Sequence, residues 1–187
     1  MTPAAAGTAP DGPGRARRPD DSGQGCVRTI IALGSNLGDS RRTIERAIGE
    51  LGEQCRVVRC SSLYRTKPVG YAAQPDFINA VLSAETALGP HALLDFLQEI
   101  EGRHQRQRTF RYAPRTLDLD LICYGRLVVS DERLTLPHQR MHERAFVLVP
   151  LLEIEPELLI AGLNRRVRDL CAALDPHSLQ EAVRIDA

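Results

Sequence analysis

The chain of 187 residues carries 24 basic and 24 acidic side chains, so no overall field draws it to nucleic acid or to an anionic membrane. Its length suits one domain with a real core, and no apolar run approaches the length of a membrane-spanning helix. Five cysteines (Cys26, Cys55, Cys60, Cys123, Cys171) form no Cys-x-x-Cys pair and no metal-type spacing with histidine, which points to free thiols in a reducing, cytoplasmic setting.

From Met1 to about Gly25 the sequence is rich in Pro, Gly, Ala, Asp and Arg and shows no hydrophobic period. Residues 1–25 are therefore expected to be a disordered tail and 26–187 a single domain. Val27 to Leu33 is a β-branched apolar run, the first strand. It breaks at Gly34-Ser35-Asn36-Leu37-Gly38-Asp39, where Asp39 or Ser40 can cap a helix. No Gly-Lys-Ser/Thr follows, so this turn is read as structural and not as a Walker phosphate loop. Ile44, Ala47, Ile48 and Leu51 repeat with helical spacing, and Gly52 ends the helix.

Arg56 to Tyr64 reads as a second strand, followed by a Pro/Gly-rich loop from Thr66 to Pro75 of the kind that often carries binding groups. The third strand, Phe77 to Glu85, separates its faces. Ile78, Ala80, Leu82 and Ala84 face a core, while Phe77, Asn79, Val81 and Ser83 face the other way. An aromatic and an amide on one strand face can stack on a flat heterocycle and hydrogen-bond its edge. Alone, the pair would be an edge aromatic and a solvated amide. Pro90 opens a second helix whose apolar stripe is Leu93, Leu94, Leu97 and Ile100, with Gln98 and Glu101 beside it.

A run of arginines, Arg103 to Arg111 with Arg115 behind, then feeds a strand from Arg115 to Ile122 that alternates polar and apolar residues. Leu117, Leu119 and Leu121 point into the core. Asp118 and Asp120 stand on the other face, roughly 6.5–7 Å apart along the chain. Carboxylates so placed can share hard cations such as Mg²⁺, and paired ions lie about 3.5–4 Å apart. They could also be no more than a solvated strand face, but the adjoining arginines favour a polyphosphate site. Leu127 to Val129, a polar segment with Arg133 and Thr135, Pro137-His138, a helix from about Glu143 to Leu152, a last helix from Asn164 to Leu174 and a polar tail complete the chain.

The order strand, helix, strand, strand, helix, strand predicts an α+β fold: a ferredoxin-like βαββαβ sandwich with an antiparallel sheet and additional C-terminal helices. Phe77, Asn79, Asp118 and Asp120 then share the side of the sheet left uncovered by the first two helices, which the C-terminal helices can wall in.

With these pieces placed, the chain closely resembles the 6-hydroxymethyl-7,8-dihydropterin pyrophosphokinase family of folate biosynthesis. The resemblance runs from Ile30 to about Leu159. It rests on Gly34-Ser35-Asn36-Leu37-Gly38, Ser62-Leu63-Tyr64-Arg65-Thr66, Gln74-Pro75-Asp76-Phe77-Ile78-Asn79-Ala80, Pro114-Arg115-Thr116-Leu117-Asp118-Leu119-Asp120 and the segment Pro137 to Phe146. It implies pyrophosphoryl transfer from ATP to the pterin hydroxymethyl group with release of AMP. Asp118 and Asp120 would hold two Mg²⁺ ions. Arg106 and Arg115, with Arg108, would neutralise charge on the transferred group. Gln98, Glu101, Leu121, Arg133, Thr135, His138, Gln139 and Arg144 would line the ATP site. Phe77 and Phe146 would sandwich the pterin, Asn79 would read its edge, and Thr66, Val69 and Tyr112 would complete the pocket. Arg106, in a Gln-rich loop free to move, would act mainly after closure. A monomer is expected, with small-molecule substrates and neither nucleic acid nor membrane as partner.

The chain departs from the family in three places. Tyr112-Ala113 replaces a common Trp-Gly, Lys67 stands where proline is frequent, and Gln139 stands where an aromatic is frequent. Two other classes compete. An RNA-recognition sheet would carry more aromatics and no paired carboxylates, and a non-catalytic ligand-binding domain would leave the arginine loop unexplained.

Overall fold

The computed structural model describes residues 25–68, 70, 73–106 and 113–185. The expected tail up to residue 24 therefore lies outside the described residues, as do Val69, Arg108 and Tyr112. In chain order the elements are β1 (Val27–Ser35), α1 (Ser40–Leu51), β2 (Cys55–Cys60), β3 (Leu63–Thr66), β4 (Phe77–Thr86), α2 (Pro90–Arg103), β5 (Asp118–Tyr124), β6 (Val129–Ser130) and β7 (Thr135–Leu136). A 3₁₀ turn (Met141–Glu143), α3 (Ala145–Ile154), β8 (Leu159–Ile160), β9 (Arg165–Arg166), α4 (Val167–Ala172), α5 (Pro176–Gln180) and β10 (Val183–Ile185) follow.

The main sheet has the order β10-β3-β4-β1-β5, with β2 also paired to β4, and its pairings are antiparallel. This is the expected ferredoxin-like arrangement. Alternation decides which residues go where. Ile31 and Leu33 of β1, Ala80 and Leu82 of β4, and Leu119 and Leu121 of β5 pack against Ile44, Ala47 and Leu51 of α1 and Leu93, Leu97 and Ile100 of α2. Asp39 caps α1 by accepting from the Arg42 N–H at 3.1 Å, and Pro90 sits in the first turn of α2.

The opposite face is less open than its polar alternation suggests. Ile30, Ala32, Val81 and Ile122 on that face pack against Val147, Leu148 and Leu151 of α3 and Val167 and Leu170 of α4. Val81 is fully buried there. The sheet is thus packed on both sides, and the end of this face near Gly34 borders a cavity.

Four sequence-based boundaries change. The expected second strand is two segments, because at Ser61 the hydroxyl accepts the Val81 N–H at 3.0 Å while the Ser61 N–H donates to Val81 O at 2.9 Å. The Asp-bearing strand begins at Asp118. Before it, Arg115 is tied to Asn36 instead of a strand: Asn36 N–H donates to Arg115 O at 3.1 Å and Arg115 N–H to Asn36 Oδ1 at 2.8 Å. The expected helix from Asn164 is a β8–β9 hairpin followed by the short α4; Gly162 (φ 77°) and Asn164 (φ 50°) adopt the left-handed conformation in its turn. The polar tail contains α5 and β10, which pairs Val183 with Arg65 and Ile185 with Leu63 of β3.

Candidate active site

Register builds the floor of the site. Gly34 of β1 lies opposite Asn79 of β4 on one side and Asp118 of β5 on the other; one pleat further along, Ala32 lies between Val81 and Asp120. Gly34 therefore sits between the two polar residues Asn79 and Asp118, and the small Ala32 sits beside Asp120. A Cβ at position 34 would stand 3.0 Å from Asn79 Oδ1, so only glycine leaves that amide its place. Above this floor is a cavity of about 180 Å³. Thr66, Phe77, Asn79 and Phe146 line it together with Arg115, Asp118, Asp120 and Arg144.

Asn79 is buried and donates to Thr66 Oγ1 at 2.8 Å, which fixes its amide against the cavity. Phe77 enters from β4 and Phe146 from the first turn of α3. Each ring carries a guanidinium over it, Arg115 at 5.7 Å from the Phe77 centroid and Arg144 at 5.4 Å from the Phe146 centroid.

The carboxylates sit among arginines. Asp118 pairs with Arg115 at 2.5 Å and with Arg106 at 2.7 Å, and Asp120 pairs with Arg144 at 3.2 Å. Burial pushes the Asp118 carboxyl above the ordinary range, and the negative charge of Asp120 acts in the same direction; Arg115 and Arg106 oppose them. Arg106 also pairs with Glu101, whose Oε1 accepts the N–H of Leu119, the residue between the two aspartates, at 2.7 Å. Glu101 is thus a buried strut joining α2, Arg106 and β5, and burial raises its carboxyl.

Arg106 does not lie in a free loop. The N–H of Gln105 donates to Gly102 O at 3.0 Å and that of Arg106 to Glu101 O at 3.1 Å, with Gln105 at φ 56°. This is a Schellman cap on α2, and it fixes the backbone of Arg106 as its two ion pairs fix the side chain.

The remaining expected nucleotide residues do not line the cavity. They cluster along β5, the edge strand of the main sheet: Gln98 and Glu101 on α2, Arg133 and Thr135 at β7, and His138 and Gln139 beyond it. His138 N–H donates to Ile122 O of β5 at 2.8 Å, and its Nδ1 accepts from the Arg140 N–H at 3.2 Å. Burial lowers the imidazole's affinity for a proton, the charge of Asp120 raises it, and that of Arg144 lowers it; the net direction is down, so the neutral ring carries its proton on Nε2. Arg133 is paired with Asp95. The Leu121 side chain is buried in the core beside α1 and α2, so only its backbone faces the strand edge.

Sequence reasoning passed over Asn36. It is buried, and besides Arg115 its amide donates to Gln74 Oε1 at 2.9 Å and Pro75 O at 3.0 Å. One side chain therefore joins the end of β1, the entry to β4 and the approach to β5. The only sequence signal was its place between the two glycines of the turn.

Fold and site together define the class: a ferredoxin-like α+β domain whose cleft combines a flat-ligand pocket with a carboxylate pair set among arginines. Residues 30–156 match the family model of 7,8-dihydro-6-hydroxymethylpterin-pyrophosphokinase (HPPK). The chain is 44% identical over 156 residues to the 2-amino-4-hydroxy-6-hydroxymethyldihydropteridine pyrophosphokinase of Methylorubrum extorquens, covering 82% of this chain and 98% of that one. It is also 44% identical over 136 residues to the enzyme of the same name from Haemophilus influenzae, covering 72% and 85%. Among solved structures, wild-type HPPK-DHPS of Plasmodium falciparum with pterin and p-hydroxybenzoate superposes with a TM-score of 0.63 at 14% identity, covering 81% of this chain. This chain spans 44% of that longer protein, and the likeness there is one of fold. The chain belongs to the HPPK family.

Proposed function

We infer that the protein transfers the pyrophosphoryl group of ATP to the hydroxymethyl group of 6-hydroxymethyl-7,8-dihydropterin, releasing AMP, as its family membership implies. The observation that carries the reading is the meeting, in one cavity, of Phe77, Asn79 and Phe146 with Asp118, Asp120, Arg115 and Arg144. A flat, amide-edged heterocycle suits the first group and a polyphosphate the second.

Asp118 and Asp120 fit Mg²⁺. Both offer hard oxygen donors on one face of one strand, and among the described residues no group of three or more His, Cys, Asp or Glu could hold a metal by itself. Mg²⁺ typically takes one or two carboxylates and completes its shell with water and substrate phosphates. Held by Asp118 and Asp120, Mg²⁺ would supply positive charge that partly neutralises the phosphates. We place two ions there, held by both aspartates.

The residues supply positioning and charge. Arg106 and Arg115, with Arg108, neutralise the transferred group, which is chiefly what phosphoryl-type transfer asks of a protein. Gln98, Glu101, Leu121, Arg133, Thr135, His138, Gln139 and Arg144 form the nucleotide side along the β5 edge. Thr66, Val69, Phe77, Asn79, Tyr112 and Phe146 form the pterin side. The RNA-binding alternative loses its surface, because α3 covers the sheet face that such a domain would present.

Product analysis tests the reading. With ATP, Mg²⁺ and the hydroxymethyl dihydropterin, AMP should form in step with the pterin diphosphate. Formation of ADP would overturn pyrophosphoryl transfer.

A further inference from the structure

The part of the cavity wall contributed from beyond residue 156 lies outside the family match, yet it is built with some care. β10 lies along β3, pairing Val183 with Arg65 immediately before Thr66 and Lys67. Asp175 caps α5 through the Ser178 N–H at 3.0 Å. Leu179 packs, with Phe146, against the core beneath α3. These anchors bring Ser178 and Glu181 to the cavity wall beside Thr66 and Lys67, and Lys67 Nζ lies 3.4 Å from Glu181 Oε1. Lys67 is the chain's single lysine.

We infer that the segment of α5 and β10 closes the pterin side of the cavity, with Lys67 and Glu181 as a latch that positions the pterin against Asn79. The inference rests on the functional reading above. Three features support it. The latch spans the strand that carries Thr66, whose hydroxyl holds the Asn79 amide. Lys67 is exposed, and its ion pair is with Glu181, so the acidic partner comes from this segment. Glu181 is itself anchored at the end of α5, where its N–H donates to His177 O at 3.2 Å. Glu181 and Lys67 are positioning residues; the ion pairs of Asp118 and Asp120 among the described residues are with Arg106, Arg115 and Arg144.

The test is a charge swap read as pterin affinity. Binding of the hydroxymethyl dihydropterin to the full chain is titrated in the presence of Mg²⁺ and a non-hydrolysable ATP analogue. Affinity for the analogue alone is measured in parallel. Glu181→Lys and Lys67→Glu should each weaken pterin binding, by about two- to fivefold as expected of a partly exposed ion pair. The double variant should regain most of the loss, and affinity for the analogue alone should stay within twofold throughout. Single variants that bind pterin as wild type does, or a double variant no better than the singles, would overturn the latch. Absence of pterin binding by the wild-type chain would instead overturn the functional reading, and the latch with it.

Discussion

Arg106 Nη2 stands 2.7 Å from Asp118 Oδ1, and the arginine that makes this contact is fixed at both ends. The Schellman cap of α2 holds its backbone, and Glu101 and Asp118 hold its guanidinium. Arg106→Ala should therefore lower the single-turnover rate by on the order of 10²–10³, as loss of one preorganised donor does. It should also weaken equilibrium binding of Mg²⁺ with an ATP analogue, because Asp118 loses a neighbour that keeps it ionised. A variant that loses rate with nucleotide affinity fully intact would show that Arg106 leaves this anchorage before it acts.

The cap itself can be tested apart from the chemistry. Gln105 holds a left-handed conformation that glycine adopts without strain. Gln105→Gly should raise stability by up to about 1 kcal/mol, the relief of strain being partly offset by a more flexible unfolded chain. The urea midpoint measures it. A lower midpoint would mean that the Gln105 side chain contributes more than its backbone strain costs.

Asn36→Ala should destabilise the fold by about 1–3 kcal/mol, because it removes the part-buried hydrogen bonds of a buried amide to Arg115 N–H, Gln74 and Pro75 O, each worth about 0.5–1.5 kcal/mol. Arg115 would keep the bond from the backbone N–H of residue 36 but lose the one its own N–H makes to Oδ1, loosening it next to the carboxylates, so turnover should fall even at temperatures where the variant is folded. Urea unfolding and initial rates check the two effects separately.

Much of this was legible from period and charge, and the failures have identifiable causes. Alternation in Phe77–Glu85 and Asp118–Leu121 assigned core and site faces correctly, because Ile78, Ala80, Leu82 and Ala84, and Leu119 and Leu121, all point to one side; past Leu121 a bulge against β1 sends Cys123 to the opposite core. It missed the burial of Val81, since α3 (Ala-Phe-Val-Leu-Val-Pro-Leu-Leu-Glu-Ile) is apolar nearly all round and gives no sign of what it covers. Asn164 favours a helix cap and a left-handed turn for related reasons, and only the pairing of β8 with β9 selects the turn. β10 is three residues long, too short for any periodic signal. The anchoring of Arg106 depends on hydrogen bonds to the end of α2 that no residue type announces.

Tyr64 offers a pH test of the packing of α3 on β3. Its hydroxyl donates to Glu153 Oε2 at 2.9 Å, and the phenol is pushed up from 10.0 to about 12, first by burial and then by that carboxylate. A raised acid binds its proton more tightly in the folded state. The stability it contributes is therefore complete below pH 10 and lost as pH rises through about 12. Wild type should exceed Tyr64→Phe in urea midpoint at pH 9, and the gap should close toward pH 12. A gap that stayed constant or widened would show that the hydroxyl does not titrate in this way.

We propose that Asp118 and Asp120 carry Mg²⁺ and the ATP phosphates. Asp118→Asn and Asp120→Asn preserve shape and remove charge, so the most direct measurement is AMP release by each variant beside Mg²⁺-dependent binding of a non-hydrolysable ATP analogue. Each variant should lose most of its turnover, by on the order of 10² or more, and most of the gain in nucleotide affinity that Mg²⁺ gives the wild type. If both variants released AMP at the wild-type rate with the same response to Mg²⁺, the metal and phosphates would lie elsewhere and the assignment of the site would be wrong.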